Sequence, residues 1–545
     1  MLVLIGTVFE GAGLLLLVPI LAVVTHGTDP IGGSLVRRLL AALRGRDQVT
    51  QLILLLGLFA LVMLLRGIVL GARDRAIARL QLGFVDSIRA RLVTAMAGAQ
   101  WQGLSRINHS RMVQALGFDI HQVGVAANSA LLAAVAAVML AGQCALALIL
   151  APLAGAIAIG LVLTAVLAGR RFLKRAQSLG RAITAANLDL TDEATRFLDG
   201  LKPAIAQGLQ QEFVRMHRAA AHRQMRDRLA FMLQQADLRN VTVLFAALAG
   251  AAALVVGIAI IHLAPAVLLT LLLVLSRMNT PTLIVQQGLQ TMLHSLPAYG
   301  TIMALEAELA AAAGAGTRPM TAMGEGISFR RVAFSHGSPR EGGFVFRDVS
   351  LTIPVGAFVG ISGPSGAGKT SFLDLAAGLV APQDGAVGHG FARDRVAYVG
   401  QDPLIFDDTI RRNLAWSSIV ADDAALWAAL EMVGAGDLVR RLDAGLDSRI
   451  GPRGALISAG ERQRLALARA LLRHPALIIL DEATNAIDIA GEAALLSELA
   501  SLTPAATILM VAHRRESLRF CDYLLTFPGP VIAPVAAKPA TALAG

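Results

Sequence analysis

Two hydrophobic patterns divide the chain. Up to about residue 313, long apolar stretches alternate with long arginine-rich ones; beyond about residue 327, short apolar runs alternate with helical patterns. A helix needs about 20 apolar residues to cross a bilayer. Six stretches answer to that need: residues 1–24, 52–70, 125–150, 152–168, 241–261 and 266–285. Their connections run short, long, short, long, short, so both long polar segments, 71–123 and 170–240, fall on one side of the membrane. Amphipathic spacing such as Phe172, Ala176, Leu179 and Ile183 predicts that the spans continue as helices beyond the lipid. Each long segment holds a turn-like break, Trp101–Arg111 in the first and Lys202–Glu212 in the second. Residues 286–313 read as a further helix within a membrane domain of residues 1–313, and 314–326 as a flexible linker.

The second part, residues 327–527, reads as a soluble α/β domain. Its runs Phe358–Ile361, Val396–Val399, Leu477–Leu480 and Thr507–Val511 alternate with helices, as a mostly parallel sheet requires. Residues 528–545 are rich in alanine and proline and are expected as a disordered tail. The fold class is thus multi-domain: an all-α polytopic membrane domain of six helices, then an α/β domain.

Composition agrees with a membrane protein: 55% hydrophobic, 16% charged and a mean hydropathy of +0.63. The net charge of +10 comes from arginines that flank apolar runs, which marks cytoplasmic segments and gives no reason to expect nucleic acid. One connection goes against the charge rule. Residues 25–50 carry Arg37, Arg38, Arg44 and Arg46 on what would be the outer face. The orientation is kept because the phosphate site described next must face the cytoplasm. Glu10 lies inside the first span, where it either faces the helix bundle or snorkels to the interface. Cys144 and Cys521 lack metal-ligand spacing and read as free thiols in a reducing compartment. The apolar start at Met1 lacks the basic region of a secretory signal.

The chemistry centres on Gly363-Pro364-Ser365-Gly366-Ala367-Gly368-Lys369-Thr370, of the form G-x-x-x-x-G-K-[ST]. An apolar run precedes it and a helical pattern, Ser371 to Ala377, follows it. Strand, glycine loop and helix is the context in which this pattern binds phosphate. Backbone N–H groups and the helix N-terminus cradle the phosphates. Lys369 reaches the β/γ-phosphates and the Thr370 hydroxyl suits Mg²⁺. The run Ala476–Leu480 ends in Asp481 and Glu482. At the C-terminal edge of a parallel sheet, Asp481 would hold Mg²⁺ and Glu482 would polarise the attacking water.

Between these two sites lies Ile457-Ser458-Ala459-Gly460-Glu461-Arg462-Gln463-Arg464, before a helical pattern from Leu465 to Arg473. Here the chain resembles the ATP-binding cassette (ABC) family, whose signature stands at this place. Gln401 resembles the Q-loop glutamine, Asn485–Asp488 the D-loop and His513 the switch histidine. Six spans followed by one cassette resembles an exporter-type half-transporter. The resemblance implies a P-loop NTPase domain of ABC type, binding ATP and Mg²⁺ within a head-to-tail dimer with a second copy of the chain or a related one. Residues Gly363 to Ser371 and Gln401 would bind ATP with Ser458 and Gly460 of the other chain, and Thr370, Gln401 and Asp481 would hold Mg²⁺. Glu482, His513 and Lys369 would act in hydrolysis, and the two loop breaks would be coupling segments. Departures from the family pattern stand at Ala459, Glu461 and Pro452, and at His336, which would bind ATP by stacking on the adenine, more weakly than the usual tyrosine. The implied activity is ATP-driven export or flipping of an amphipathic, lipidic or peptide cargo across a bacterial cytoplasmic membrane. An importer of the same fold and an ATP-gated channel or regulator are the alternatives.

Overall fold

The computed structural model describes residues 48–150, 152–168, 170–260, 265–314, 326–335, 345–416, 422–503, 505–512 and 514–535, with isolated positions before residue 48. The predicted span 1–24 with Glu10, the arginines of 25–47, most of the linker, His336, His513 and residues 536–545 therefore lie outside the described residues, apart from those isolated positions. The chain forms two compact units. One comprises residues 1–99 and 105–311, the other 100–104 and 312–545.

The first unit is helical. Its largest helices, Gln48–Gly98, Gln210–Val255 and Pro265–Gly314, have 51, 46 and 50 residues. At 1.5 Å per residue the first is about 75 Å long, well over the roughly 30 Å of a hydrocarbon core. Among the described residues, Val49–Gly98, His109–Ile149 and Gln210–Ile260 are long and apolar enough to cross a membrane. The expected spans 152–168 and 266–285 are also helical, within Pro152–Ala168 and Pro265–Gly314. No break separates 266–285 from 286–313.

Both expected loop breaks differ in detail from the sequence reading. In the first, a four-residue helix, Trp101–Leu104, interrupts the chain, and it clusters with the second unit. Within that unit the Ala381 N–H donates to Gln102 Oε1 at 3.2 Å. In the second, Lys202 and Pro203 are still helical. The helix Arg170–Ala206 ends one turn later, at Gly208, whose φ of +70° lets the Leu209 N–H turn back to the Ala204 carbonyl. Pro203 costs the helix one backbone hydrogen bond without ending it; the glycine makes the stop.

Polar pairs join the long helices, most of them beyond the expected spans. Thr242 Oγ1 donates to Gln286 Oε1 at 2.6 Å, and Thr301 Oγ1 donates to Asp119 Oδ2 at 3.0 Å. Gln122 Nε2 lies 3.2 Å from His294 Nδ1, and Phe231 stacks on that imidazole at 4.0 Å. Asp119 stands at the end of a π-helical turn, Ala115–Asp119, that links His109–Gln114 to Ile120–Leu150. At Gly180 a β-carbon would lie 2.0 Å from the His294 carbonyl oxygen, so the two backbones touch there.

The second unit carries two sheets. A three-stranded antiparallel sheet has the order β2-β1-β4, with β1 Ile327–Phe334, β2 Phe346–Ile353 and β4 Asp384–His389. A six-stranded sheet has the order β5-β6-β7-β3-β8-β9. Its β3 Phe358–Ser362, β5 Val396–Val399, β6 Leu477–Asp481 and β7 Thr507–Val511 are the runs expected from sequence; they pair in parallel with one another, and β8 Tyr523–Thr526 pairs in parallel with β3. The residues of β6 and β7 are buried throughout, which is why they read as unbroken apolar runs. Phe372, behind the glycine loop, stacks on Phe329 at 4.4 Å and ties the two sheets together.

The tail corrects an expectation. Residues 528–535 are ordered: β9, Val531–Pro534, pairs antiparallel with β8. The exposed side of β8 offers unpaired backbone groups, and Gly529 at φ +78° allows the return. Pro534 is tolerated because β9 is an edge strand.

Gly180→Val should force the helices apart and lower stability by about 1–3 kcal/mol, read as a lower Tm in detergent, whereas Gly250→Ala, at a position with open space around it, should not.

Candidate functional site

The site is built at the carboxyl edge of the parallel strands. Between β3 and the helix Lys369–Ala376, Gly366 and Gly368 have φ of +78° and +95°. Such values favour glycine. A β-carbon at Gly368 would also strike Val345 at 2.4 Å, while the space around Gly366 is open. Lys369 is 7% exposed, and its Nζ donates to the carbonyls of Gly363 and Pro364 at 3.0 Å each. The ammonium is thus held over the loop by the loop's own backbone.

Three of the expected residues converge. Thr370 Oγ1 donates to Asp481 Oδ1 at 3.4 Å, and Lys369 precedes Thr370 in the same helical turn. Val399 pairs with Leu480, so Gln401 leaves β5 at the edge where β6 ends in Asp481. Glu482 follows with φ +56°, a left-handed conformation that strains a residue bearing a side chain by about 1–3 kcal/mol. Its Oε2 accepts from Asn485 Nδ2 at 3.0 Å.

Ser458 and Gly460 make other contacts. Ser458 caps the helix Ala459–Leu471: its Oγ accepts from the Glu461 N–H, and the Glu461 carboxylate accepts from the Ser458 N–H at 2.7 Å. The cap uses only an acceptor site of the hydroxyl and leaves its proton to donate elsewhere. Glu461, unusual for the signature, therefore has a structural reason, and it also accepts from Arg441 Nη2 at 2.9 Å. Ala459 is exposed at the start of the helix. Gly460 faces the D-loop stretch, where a β-carbon would lie 2.8 Å from the Ala486 oxygen.

Sequence reasoning missed three partners. Tyr398 donates to Asp481 Oδ2 at 3.0 Å. Burial, and the carboxylates of Asp481 and Asp374 beside its hydroxyl, push its pKa above the usual tyrosine range, so it remains a donor at neutral pH. Gln463 is buried between Gln401 and Ala486. Arg514 joins Glu492 at 2.6 Å and the Ile487 carbonyl at 3.1 Å. One signal was available for Gln463: it shares a helical face with Leu467 and Leu471, where a lone amide implies buried partners. Nothing local distinguishes Tyr398 or Glu492.

The donors fit the expected ligands. Hydroxyl, carboxylate and amide oxygens from Thr370, Asp481 and Gln401 are the hard ligands that Mg²⁺ prefers. The loop and the helix that follows it suit a polyphosphate.

Known proteins resemble this chain. The family model described as "ABC transporter" matches residues 346–485. The ATP-dependent lipid A-core flippase of Burkholderia pseudomallei is 35% identical over 224 residues, 39% of this chain and 37% of that protein. ATP-binding cassette sub-family B member 6 of Mesocricetus auratus is 36% identical over 209 residues, 36% of this chain and 24% of that one. The match thus spans well under half the length of these relatives. The structure of a bacterial Atm1-family ABC exporter with ATP bound superposes with a TM-score of 0.78 at 21% identity, over 96% of this chain and 92% of that one.

The partners of Glu461 hold its carboxyl below the usual 4.5: burial raises its pKa, but the bonds from Ser458 and the charge of Arg441 outweigh it. Its contribution to stability is therefore full above about pH 4.5 and is lost as pH falls through the folded value. Glu461→Gln should keep the cap and flatten the acid limb of a stability-versus-pH curve.

Proposed function

From the premise that this chain belongs to the ABC transporter family, with that family's ATP-binding domain beside a helical unit in an exporter's fold, we propose that it is an ATPase that drives export or flipping across a bacterial cytoplasmic membrane. It works as a dimer of two copies, with the cassettes in the cytoplasm. The membrane domain is residues 1–313 with six spans, the linker 314–326, and the cassette begins at 327. Trp101–Arg111 and Lys202–Glu212 act as coupling segments. The clustering of residues 100–104 with the second unit supports that role for the first of them.

The observation that carries this reading is the convergence of Thr370 and Asp481 at the strand edge where Glu482 stands in a strained conformation. Lys369 and the loop N–H groups hold the β- and γ-phosphates in place. Mg²⁺, held by Thr370, Asp481 and Gln401, would neutralise charge on the phosphate oxygens. Tyr398 fixes the Asp481 carboxylate from behind. Glu482 takes a proton from the attacking water, and Asn485 orients it. The Ser458 hydroxyl of the partner chain donates across the interface, and His513 would contribute to hydrolysis as the switch histidine that it resembles. Nucleotide binds one state of the dimer better than the other, and that difference drives alternating access of the helices. The relative among lipid flippases supports a lipidic cargo, with a peptide as the other amphipathic candidate.

Glu482→Gln should retain nucleotide binding, lose turnover by at least about a hundredfold and accumulate as a closed dimer in ATP. Wild-type turnover would remove Glu482 from the role of base. In inside-out vesicles, amphipathic lipids or peptides should stimulate ATP turnover and be taken up only with ATP; uptake only into right-side-out vesicles would mean import.

A further inference from the structure

Gln463 occupies a place that only an amide side chain fills. It is 3% exposed. Its Nε2 donates to the Gln401 carbonyl at 3.3 Å, and its Oε1 accepts from the Ala486 N–H at 3.1 Å. A carboxylate would set two acceptors face to face at Gln401. A lysine or arginine would leave Ala486 without an acceptor. One turn earlier on the same helix, Gly460 lies against the Ala486 oxygen so closely that no side chain fits.

The stretch that receives these contacts is gripped from its other side too. Arg514 Nη1 donates to the Ile487 carbonyl at 3.1 Å and to Glu492 Oε2 at 2.6 Å. Glu492, 4% exposed, accepts from Thr484 Oγ1 at 2.7 Å. The peptide Ala486–Ile487 cannot shift alone, and neither can the first turns of the helix Ala459–Leu471. Gln463, on the helix that Ser458 caps, is thus bonded to the backbone of Gln401.

We infer that Gln463 is a positioning residue that couples the two nucleotide sites of the proposed dimer. Within one chain it ties the signature, which serves the partner's nucleotide, to Gln401, which serves the chain's own. The inference rests on the dimeric reading given above. It makes turnover, rather than nucleotide binding, depend on Gln463.

The test uses the full chain in lipid nanodiscs. ATP hydrolysis is followed against ATP concentration, and binding of a fluorescent ATP analogue is measured separately. Gln463→Met keeps the volume and removes both hydrogen bonds; Gln463→Glu keeps the acceptor and loses the donor. Gln463→Met should bind the analogue within about twofold of wild type, lose roughly tenfold to a hundredfold in kcat, and lower the Hill coefficient to about 1. Gln463→Glu, which turns an acceptor on the Gln401 carbonyl, should lose at least as much kcat with the analogue still bound, and it decides the matter if the methionine variant does not fold. A merely structural role would lower binding, Tm and kcat together and leave the Hill coefficient unchanged; that result overturns the inference. So would wild-type kinetics in the variants. Trapping of Glu482→Gln as a dimer in the same preparation separates the two readings: without trapping the dimer itself fails, and with it only the coupling role is at stake.

Discussion

The cassette depends on the parallel register of β5, β6, β7 and β3. Val399 lies opposite Leu480, and both Asp481 and Ile361 lie opposite Val511. Parallel strands deliver the chain in one direction, so whatever follows each strand emerges at the same edge. The glycine loop, the acid pair and Gln401 are remote in sequence and share a site only because these four strands end together. A slip of one residue in β6 would turn Asp481 to the other face of the sheet. Burial of β6 and β7 on both faces keeps these strands in the interior but does not by itself choose their register; the bonds of Asp481 to Thr370 and Tyr398 exist only in the observed one.

Behind that edge lies a layer of buried polar side chains. Gln463 and Glu492 each engage two partners, and between them they fix the stretch from Thr484 to Ile487. Buried polar groups destabilise by about 1–3 kcal/mol each when left unpaired, so such a layer holds one geometry or fails. Rigidity here keeps Glu482 in a backbone conformation that it would not adopt freely.

The helical unit uses a looser version of the same device. Its helices touch through backbone at Gly180 and through single polar pairs such as Thr242 with Gln286. Further polar contacts, such as Ser110 with Asp192 and Gln224 with Asn187, add to these points. Polar pairs at intervals give long helices a defined register while allowing each to act as a rod.

Contiguous signals were legible in the amino-acid sequence by itself. The glycine loop, the apolar run ending in Asp481 and Glu482, and the long apolar stretches each sit within one window, and their periodicity and residue types carry meaning without knowledge of neighbours. The antiparallel sheet β2-β1-β4, the ordered strand Val531–Pro534 and the partners of Asp481 were decided only by the tertiary structure. β9 looks like a tail until β8 offers it an edge. Tyr398 looks like one more residue of an apolar strand until β6 lies beside it. Glu461 looks like a departure from the signature until Ser458 and Arg441 close around it. Short-range pattern sets which segments form and which chemistry they bear. Long-range pairing chooses their partners, because the energy of a hydrogen bond or a buried contact belongs to two places in the chain at once.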